Sequence, residues 1–339
     1  MTFMDEPLLD DHGNVAEPLL VVDLDAATAP PVPATDRVMI GIAAKPLDQG
    51  RRELARGLDV TLVPPGAATG RECVTAADPL AEAELLREAA RANPQAALTL
   101  GGVLRAGPPG VLEALDLESF AYSTLLGGAE FARWLEHRES RGPPPPSPRP
   151  PVLVDRTGSR LRITLNRPER RNAYGREVRD SLVDALRLAV LDNTIQRVVL
   201  DGAGLAFCAG GDLGEFGTAP DLATAHFVRT RAGAGRLLHQ ISDRLEAHVH
   251  GRCVGAGIEL PAFASRVIAR PGTTFRLPEV SMGLIPGAGG TVSIPRRAGR
   301  WRACYLSLSG HEIDAATALD WGLIDAIEDD TERKSPNDR

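Results

Sequence analysis

Apolar positions change their spacing along the chain, and the change marks two unlike halves. The runs Val38 to Ala43 and Val60 to Val63 are short and apolar, which predicts two strands with a polar helix between them. Further on, Leu80, Leu85, Leu86 and Ala89 recur at helical spacing, Asp78 and Pro79 supply an N-cap and a first-turn residue, and Pro94 ends the run. Two more helices are expected, from Ala96 to Leu104 and from Leu117 to His137.

After Pro151 the pattern alternates. Strands are expected at Leu161 to Leu165, Val198 to Leu200, His248 to His250 and Val267 to Ala269, with helices over Gly175 to Leu191 and after Leu222. Such alternation implies layered α/β architecture. Between the halves, residues 141–151 read RGPPPPSPRPP, seven prolines in eleven residues, a composition that neither continues a helix nor pairs in a sheet. The expected organisation is a partly disordered acidic tail over 1–30 and a mostly helical domain over 31–140. A proline-rich linker over 141–151, a larger α/β domain over 152–330 and a tail over 331–339 complete it.

Composition narrows the chemistry. With 43% hydrophobic and 24% charged residues in 339, the chain can bury a sizeable core. Its net charge of −7, without a basic stripe, argues against nucleic acid as a partner. Lys45 and Lys334 are the only lysines, so an anionic ligand would be met by arginine or by backbone N–H. Cys73, Cys208, Cys253 and Cys304 form no C-x-x-C pair, which disfavours metal fingers and a disulfide framework and suits a reducing cytoplasm. No basic leader and no apolar run of about 18 residues is present, so neither secretion nor a membrane partner is expected.

The glycines gather after strands, where exposed N–H groups can be aimed at a ligand. Three segments stand out: LNRPERRNAY (165–174), GAGLAFCAGGDL (202–213), and HGRCVGAGIEL (250–260) followed by FRLPEVSMGLIPGAGGT (275–291). In order and spacing they resemble the enoyl-CoA hydratase/isomerase family, the crotonase superfamily, over about residues 151–330.

The resemblance implies a crotonase-like spiral of ββα units and an acyl-CoA thioester as substrate. It implies that the N–H groups of Gly211 and Ala256 form an oxyanion hole and that Glu259 and Glu279 are catalytic acid/base residues. It places Arg171, Asn172, Ala173, Ala209, Asp212 and Leu213 against CoA, with Arg167, Arg170, Arg171 and Arg176 as candidate phosphate partners. The turn of Gly287, Gly289 and Gly290 is expected beneath the second glutamate. No metal or redox cofactor is implied, and a trimer or hexamer is the expected homo-oligomer. Ala256 stands where many relatives have glycine, which is tolerable because only its N–H is used. Pro261 removes a helix donor just after Glu259, so that helix should bend or start late.

Other patterns carry less. His226, His239, His248 and His250 form no i, i+4 metal pair, and Cys208 reads as a small buried side chain. No third glycine completes a dinucleotide fingerprint after Gly202 and Gly204.

The first half resembles a truncated second copy. RVMIGIAA (37–44) reads like RVVLDGAG (197–204), and ELARGLDVTLVPPG (53–66) like ELPAFASRVIARPG (259–272). Gly50 and Glu53 then echo Ala256 and Glu259 without a partner turn and should be inert. The later helices resemble those that follow the catalytic core in the family, and they are expected to fold back and complete it. The activity expected is hydration of a 2-enoyl thioester or dehydration of a 3-hydroxyacyl thioester. Double-bond isomerisation, a cofactor-independent oxygenase of the same fold, and a non-catalytic acyl-CoA-binding subunit remain alternatives.

Overall fold

Alternating side chains give the first sheet two buried faces. The computed structural model describes residues 7–26, 36–68, 70–107, 110–138, 142 and 145–328. Strands β1 (Leu19–Asp23), β2 (Val38–Ile42), β3 (Val60–Val63) and β4 (Cys73–Thr75) lie parallel in chain order, with α1 (Gln49–Gly57) between β2 and β3. Val38, Ile40, Val60 and Leu62 face the main core, while Met39 and Val63 face a smaller cluster with Ala55 and Leu58. Two strands of this sheet were not anticipated. β1 falls inside the expected tail, where the apolar run Leu19 to Val22 pairs with β2. The rest of that expectation, at residues 1–6 and 27–30, lies outside the described residues.

Four helices follow: α2 (Pro79–Ala92), α3 (Pro94–Ala106), α4 (Val111–Leu126) and α5 (Ala129–His137). Asp78 caps α2 through Leu80 N–H and Ala81 N–H, and the Ala83, Leu86 and Ala90 stripe is buried. The single helix expected from Leu117 to His137 is broken at Gly127 and Gly128, which end α4 and start α5. Asn93 provides no side-chain cap for α3. Glu130 of α5 does so instead, accepting from Gln95 N–H at 2.7 Å and Ala96 N–H at 3.0 Å.

The second half contains β5 (Val152–Thr157), β6 (Arg160–Leu165), α6 (Arg176–Leu191), β7 (Arg197–Gly202), α7 (Leu222–Ala232), α8 (Gly235–Gln240), β8 (Leu245–Val249), β9 (Arg252–Val254) and α9 (Ala256–Glu259). It continues with β10 (Arg266–Ala269), β11 (Thr274–Arg276), α10 (Gly290–Ala298), α11 (Arg300–Ser309), β12 (Ile313–Asp314), α12 (Ala315–Asp320) and β13 (Ala326–Ile327). Six strands form a sheet in the order β13-β10-β8-β7-β6-β5, antiparallel only between β5 and β6, and β12-β11-β9 form a third sheet. Helix α9 is a single turn followed by a 3₁₀ turn at Pro261–Phe263, so Pro261 limits the helix as its missing N–H requires.

The core does not divide at the proline-rich segment. One buried cluster runs from Leu19 through Leu86, Leu100, Leu115 and Phe131 to Leu200, Ile258 and Ile324. The helices before the proline-rich segment share the main core with the α/β unit after it, while α1 and one face of the first sheet keep the smaller cluster. α4 packs on α7, α8 and α10, and α11 packs on α2, α3 and β3. Polar links cross the same junction: Arg236 pairs with Asp116 at 2.6 Å, and Tyr305 donates to Glu82 at 2.8 Å. No helix among the described residues is long and apolar enough to cross a membrane.

Asp59 is the most buried of these links, with a side chain 2% exposed. It accepts from Met39 N–H at 2.8 Å and Arg105 Nη1 at 2.6 Å, and Arg300 Nη1 lies 3.5 Å away. Burial raises its carboxyl pKa while the two guanidinium groups oppose the rise. Removing one member of such a set leaves charge without a counter-ion, at a cost of about 3 kcal/mol. Asp59→Ala should lower the unfolding free energy measured in urea by about that amount, and Asp59→Asn by less because Met39 N–H keeps an acceptor. A loss under about 1 kcal/mol for the alanine variant would show that Arg105 and Arg300 reach solvent on their own.

Candidate active site

Two glycine turns are locked together before any catalytic side chain is placed. Arg171 and Asn172 both take left-handed backbone, with φ of 52° and 53°, a conformation that asparagine tolerates better than most residues. The buried Asn172 amide accepts from Arg167 N–H at 2.7 Å and donates to Ala203 and Ala206 carbonyls at 2.8 and 3.0 Å. It therefore fixes the loop after β7. Ala209 N–H reaches Arg171 O and Tyr174 N–H reaches Gly210 O, so the 208–211 turn is held along the 171–174 turn. Val254 N–H donates to Cys208 O, and a Cβ on Gly257 would lie 2.1 Å from that oxygen, which only glycine avoids.

The second turn takes its shape from Gly255, at φ 50° and ψ −120°. That combination favours glycine strongly and turns the peptide carrying Ala256 N–H. Gly211 and Ala256 line one cavity of about 550 Å³. Among the described residues neither N–H is taken by a backbone carbonyl. Because α9 has one turn, its dipole adds less than a full helix would.

Glu259 ends α9, and Glu279 opens a 3₁₀ turn, Glu279–Met282, after β11. Both line the cavity and both are buried, at 2% and 9% exposure. They converge on Gly255: a Cβ there would lie 2.5 Å from Glu279 Oε1 and 3.7 Å from Glu259 Oε1. Glu259 Oε2 accepts from Ala288 N–H at 2.7 Å and Gly290 N–H at 2.9 Å. Glu279 Oε2 is buried without a hydrogen-bond partner among the described residues.

The glycine turn before α10 thus sits under Glu259, not under Glu279 as expected. A Cβ on Gly290 would come within 2.6 Å of Glu259 Cγ, so glycine is what allows the approach. The neighbouring N–H groups go to a residue from the other half of the chain. Glu118 of α4, 2% exposed, accepts from Gly289 N–H at 2.8 Å, Thr291 N–H at 2.9 Å and Thr291 Oγ1 at 2.7 Å. Burial pushes Glu118 up to about 7 against these hydrogen bonds. Burial also pushes Glu279 to about 7 and Glu259 well above the usual range, with repulsion from the other glutamates adding to each rise.

The N-terminal helices supply the far wall of the cavity through Tyr122, Leu126, Phe131 and Leu135, facing Tyr174, Phe216 and Arg229. A groove of about 730 Å³ adjoins it, sharing Gly211 and Asp212. Arg171, Ala173, Ala209, Asp212 and Leu213 line this groove together with Trp134 of α5 and Arg138 just after it. Asn172 does not line it, because its side chain is spent inside the fold. Arg170 makes a two-pronged pair with Asp212 at 3.0 and 2.7 Å, and Arg167 pairs with Glu177 at 2.9 Å, so neither offers an unshared charge. Arg171 and Arg176 have no ion pair among the described residues and suit phosphate better. Burial pushes the Cys208 thiol up to about 12, in keeping with an inert packed side chain.

Comparison with known proteins decides the family. The profile of the enoyl-CoA hydratase/isomerase family matches residues 156–334. The chain belongs to that family. It is 38% identical over 175 residues to 1,2-epoxyphenylacetyl-CoA isomerase of Escherichia coli (strain K12), a match covering 50% of this chain and 66% of that enzyme. It is 36% identical over 176 residues to 2,3-dehydroadipyl-CoA hydratase of the same organism, covering 52% and 68%. Among solved structures, enoyl-CoA hydratase from Thermoplasma volcanium GSS1 superposes with a TM-score of 0.50 at 33% identity, covering 55% of this chain and 74% of that one. A protein from Thermobifida fusca YX solved in complex with acetoacetyl-CoA gives 0.50 at 27% identity, covering 54% and 75%. The chain spans about two thirds of the length of the two curated relatives, and each match involves about half of this chain.

Glu118, Tyr122, Trp134 and Arg229 were not anticipated as part of this site. The available signal was a glutamate on the apolar stripe of α4, between buried Leu115 and buried Ser119. Glu118→Ala should lower the unfolding free energy in urea by about 3 kcal/mol, since it strands two buried N–H groups and a hydroxyl. Glu118→Gln, which retains an acceptor oxygen, should cost roughly half as much. Equal losses for the two variants would mean that the site collapses around the side chain and does not depend on its oxygens.

Proposed function

We propose that the chain hydrates 2-enoyl-CoA thioesters, or runs the reverse dehydration of 3-hydroxyacyl-CoA. The observation that carries this reading is the convergence of two buried carboxyls on Gly255, inside a cavity that also presents the Gly211 and Ala256 N–H groups. The thioester oxygen accepts those two N–H groups. Charge that develops on it in the enolate is met by donors already in place and shielded from water.

Three buried carboxyls near one another cannot all be ionised. Within the pair, hydrogen bonding favours charge on Glu259, whose Oε2 receives two N–H groups from the turn leading into α10. On this count Glu279, with an oxygen that receives none, is assigned the proton, against the stronger rise that burial and the other two carboxyls impose on Glu259. In hydration Glu259 takes a proton from water, and the oxygen bonds to C3 as the π electrons move to the thioester oxygen. Glu279 then delivers its proton to C2 as the enolate closes. The balance is one water added across one double bond, with no electrons exchanged. Isomerisation needs only one carboxyl to move a proton between carbons, so two buried carboxyls facing one point favour hydration.

The groove lined by Arg171, Ala173, Ala209, Asp212 and Leu213 is proposed to hold the CoA portion, with Arg171 in the groove and Arg176 in the adjoining cavity as its phosphate partners.

Incubation with a panel of 2-enoyl-CoA esters in deuterated water should give hydration with one deuterium placed at C2. Glu259→Gln and Glu279→Gln should each lower kcat by about 10²- to 10⁴-fold while CoA esters still bind. Binding without turnover or exchange of any ester would establish a non-catalytic acyl-CoA-binding protein instead. The pH dependence follows from both carboxyls: burial brings Glu279 to about 7 and holds Glu259 well above the usual carboxylate range. Glu279 must keep its proton to act as donor and Glu259 must lose its own to act as base, so kcat/KM for hydration should pass through a maximum and fall on either side of it. A rate that climbs without a maximum across the neutral and alkaline range would show that no protonated carboxyl is required.

A further inference from the structure

Arg229 of α7 lines the same cavity as Glu259 and Glu279. Its guanidinium contacts only neutral groups: Nε donates to Ser119 Oγ at 3.3 Å, Nη2 donates to Ser123 Oγ, and the Tyr122 ring lies 4.4 Å from Cζ. Among the described residues Nη1 has no hydrogen-bond acceptor, and no carboxylate lies within ion-pair distance. Arg105, Arg167 and Arg170 each hold a carboxylate, and the partly buried Arg244 and Arg302 donate to backbone carbonyls. Burial holds Arg229 below the ordinary arginine range, with Tyr122 and Glu118 opposing the shift.

We propose that Arg229 receives a carboxylate at the far end of the acyl chain, so that the substrates are CoA monothioesters of dicarboxylic acids. This rests on the acyl-CoA reading above. Leu126, Phe131, Leu135, Phe216 and Val228 line the same cavity and give a methylene chain apolar surface. An incoming carboxylate loses its hydration, and a guanidinium that offers Nη1 and a second Nη2 hydrogen replaces it. A chain ending in a methyl group leaves Arg229 desolvated without a counter-ion. Sites built to bond a polar group discriminate in this way against analogues that lack it.

A purely structural role is the competing account, in which Arg229 clamps α4 to α7 and steadies the charge of Glu118. Matched 2-enoyl-CoA esters of equal carbon number, ending in methyl or in carboxylate, separate the two accounts. The full chain should hydrate the carboxylate-ended member with kcat/KM about 10- to 100-fold higher at the best length. Arg229→Gln should remove that advantage, lowering kcat/KM for the carboxylate-ended ester at least about tenfold more than for the methyl-ended one, and Arg229→Lys should keep part of it. Equal losses on both substrates, or no preference at any length, would overturn the proposal and leave the hydratase reading standing. If neither class turns over, the hydratase reading fails, and calorimetric binding of saturated carboxylate-ended and methyl-ended CoA esters decides this one. Binding weakened at least tenfold by Arg229→Gln for the carboxylate-ended ester alone supports it, and equal binding overturns it.

Discussion

The first N–H groups of an α-helix have no carbonyl within the helix to receive them. At the start of α10, four consecutive N–H groups from Ala288 to Thr291 alternate between two carboxyls, Glu259 and Glu118. The alternation requires backbone that lets both side chains approach, and Gly289, at φ 106°, and Gly290 provide it. One carboxyl comes from the second glycine turn and the other from the N-terminal half of the chain. The position of Glu259, a candidate catalytic group, is thereby tied to a helix residue 141 positions earlier in sequence.

This tie accounts for the continuous core. If α4 only covered an otherwise finished α/β unit, its face toward that unit could be wholly apolar. It instead carries Glu118, Ser119, Tyr122 and Ser123 against α10 and α7, where each has a polar partner or lines the cavity. Glu130 repeats the device by capping α3 from α5. Buried carboxylates used as caps for other helices fix register more sharply than apolar contact does, since a shift of one residue strands N–H groups without water. The N-terminal helices are in this sense part of the site's frame.

What could be read from the sequence follows the range of the interactions. The turns at 208–211 and 254–257 were picked out through their resemblance to the family's motifs, and Gly211 and Ala256 do line one cavity. The α/β layering and the capped start of α2 were legible because spacing and capping are local signals. Glu118 was not, because its partners lie over 170 residues away and its own neighbours show only a glutamate on a helix. The glycine turn was assigned to Glu279 on order along the chain, whereas the structure gives it to Glu259, which approaches through the space that Gly290 leaves open. β1 escaped notice because four apolar residues among acidic and proline-rich flanks form a strand only when β2 is beside them.

Charge in the cavity follows from the same architecture. Glu118, Glu259 and Glu279 are buried together, and Arg229 is a cation that no carboxyl of the described residues reaches within ion-pair distance. Hydrogen bonds from the α10 turn favour negative charge on Glu118 and Glu259, while burial and mutual repulsion raise all three carboxyls, Glu259 the most, so at least one proton is held among them. Moving that proton out changes the charge balance among all three carboxyls, because low-dielectric surroundings screen them weakly. On the proposed reading, a weak acid in such a place gives its proton to carbon only after enolate charge has made C2 basic. The oxyanion turns and the carboxyls therefore have to be built as one unit, and the contacts that lock Cys208 to Val254 and Gly257 are what hold that unit together.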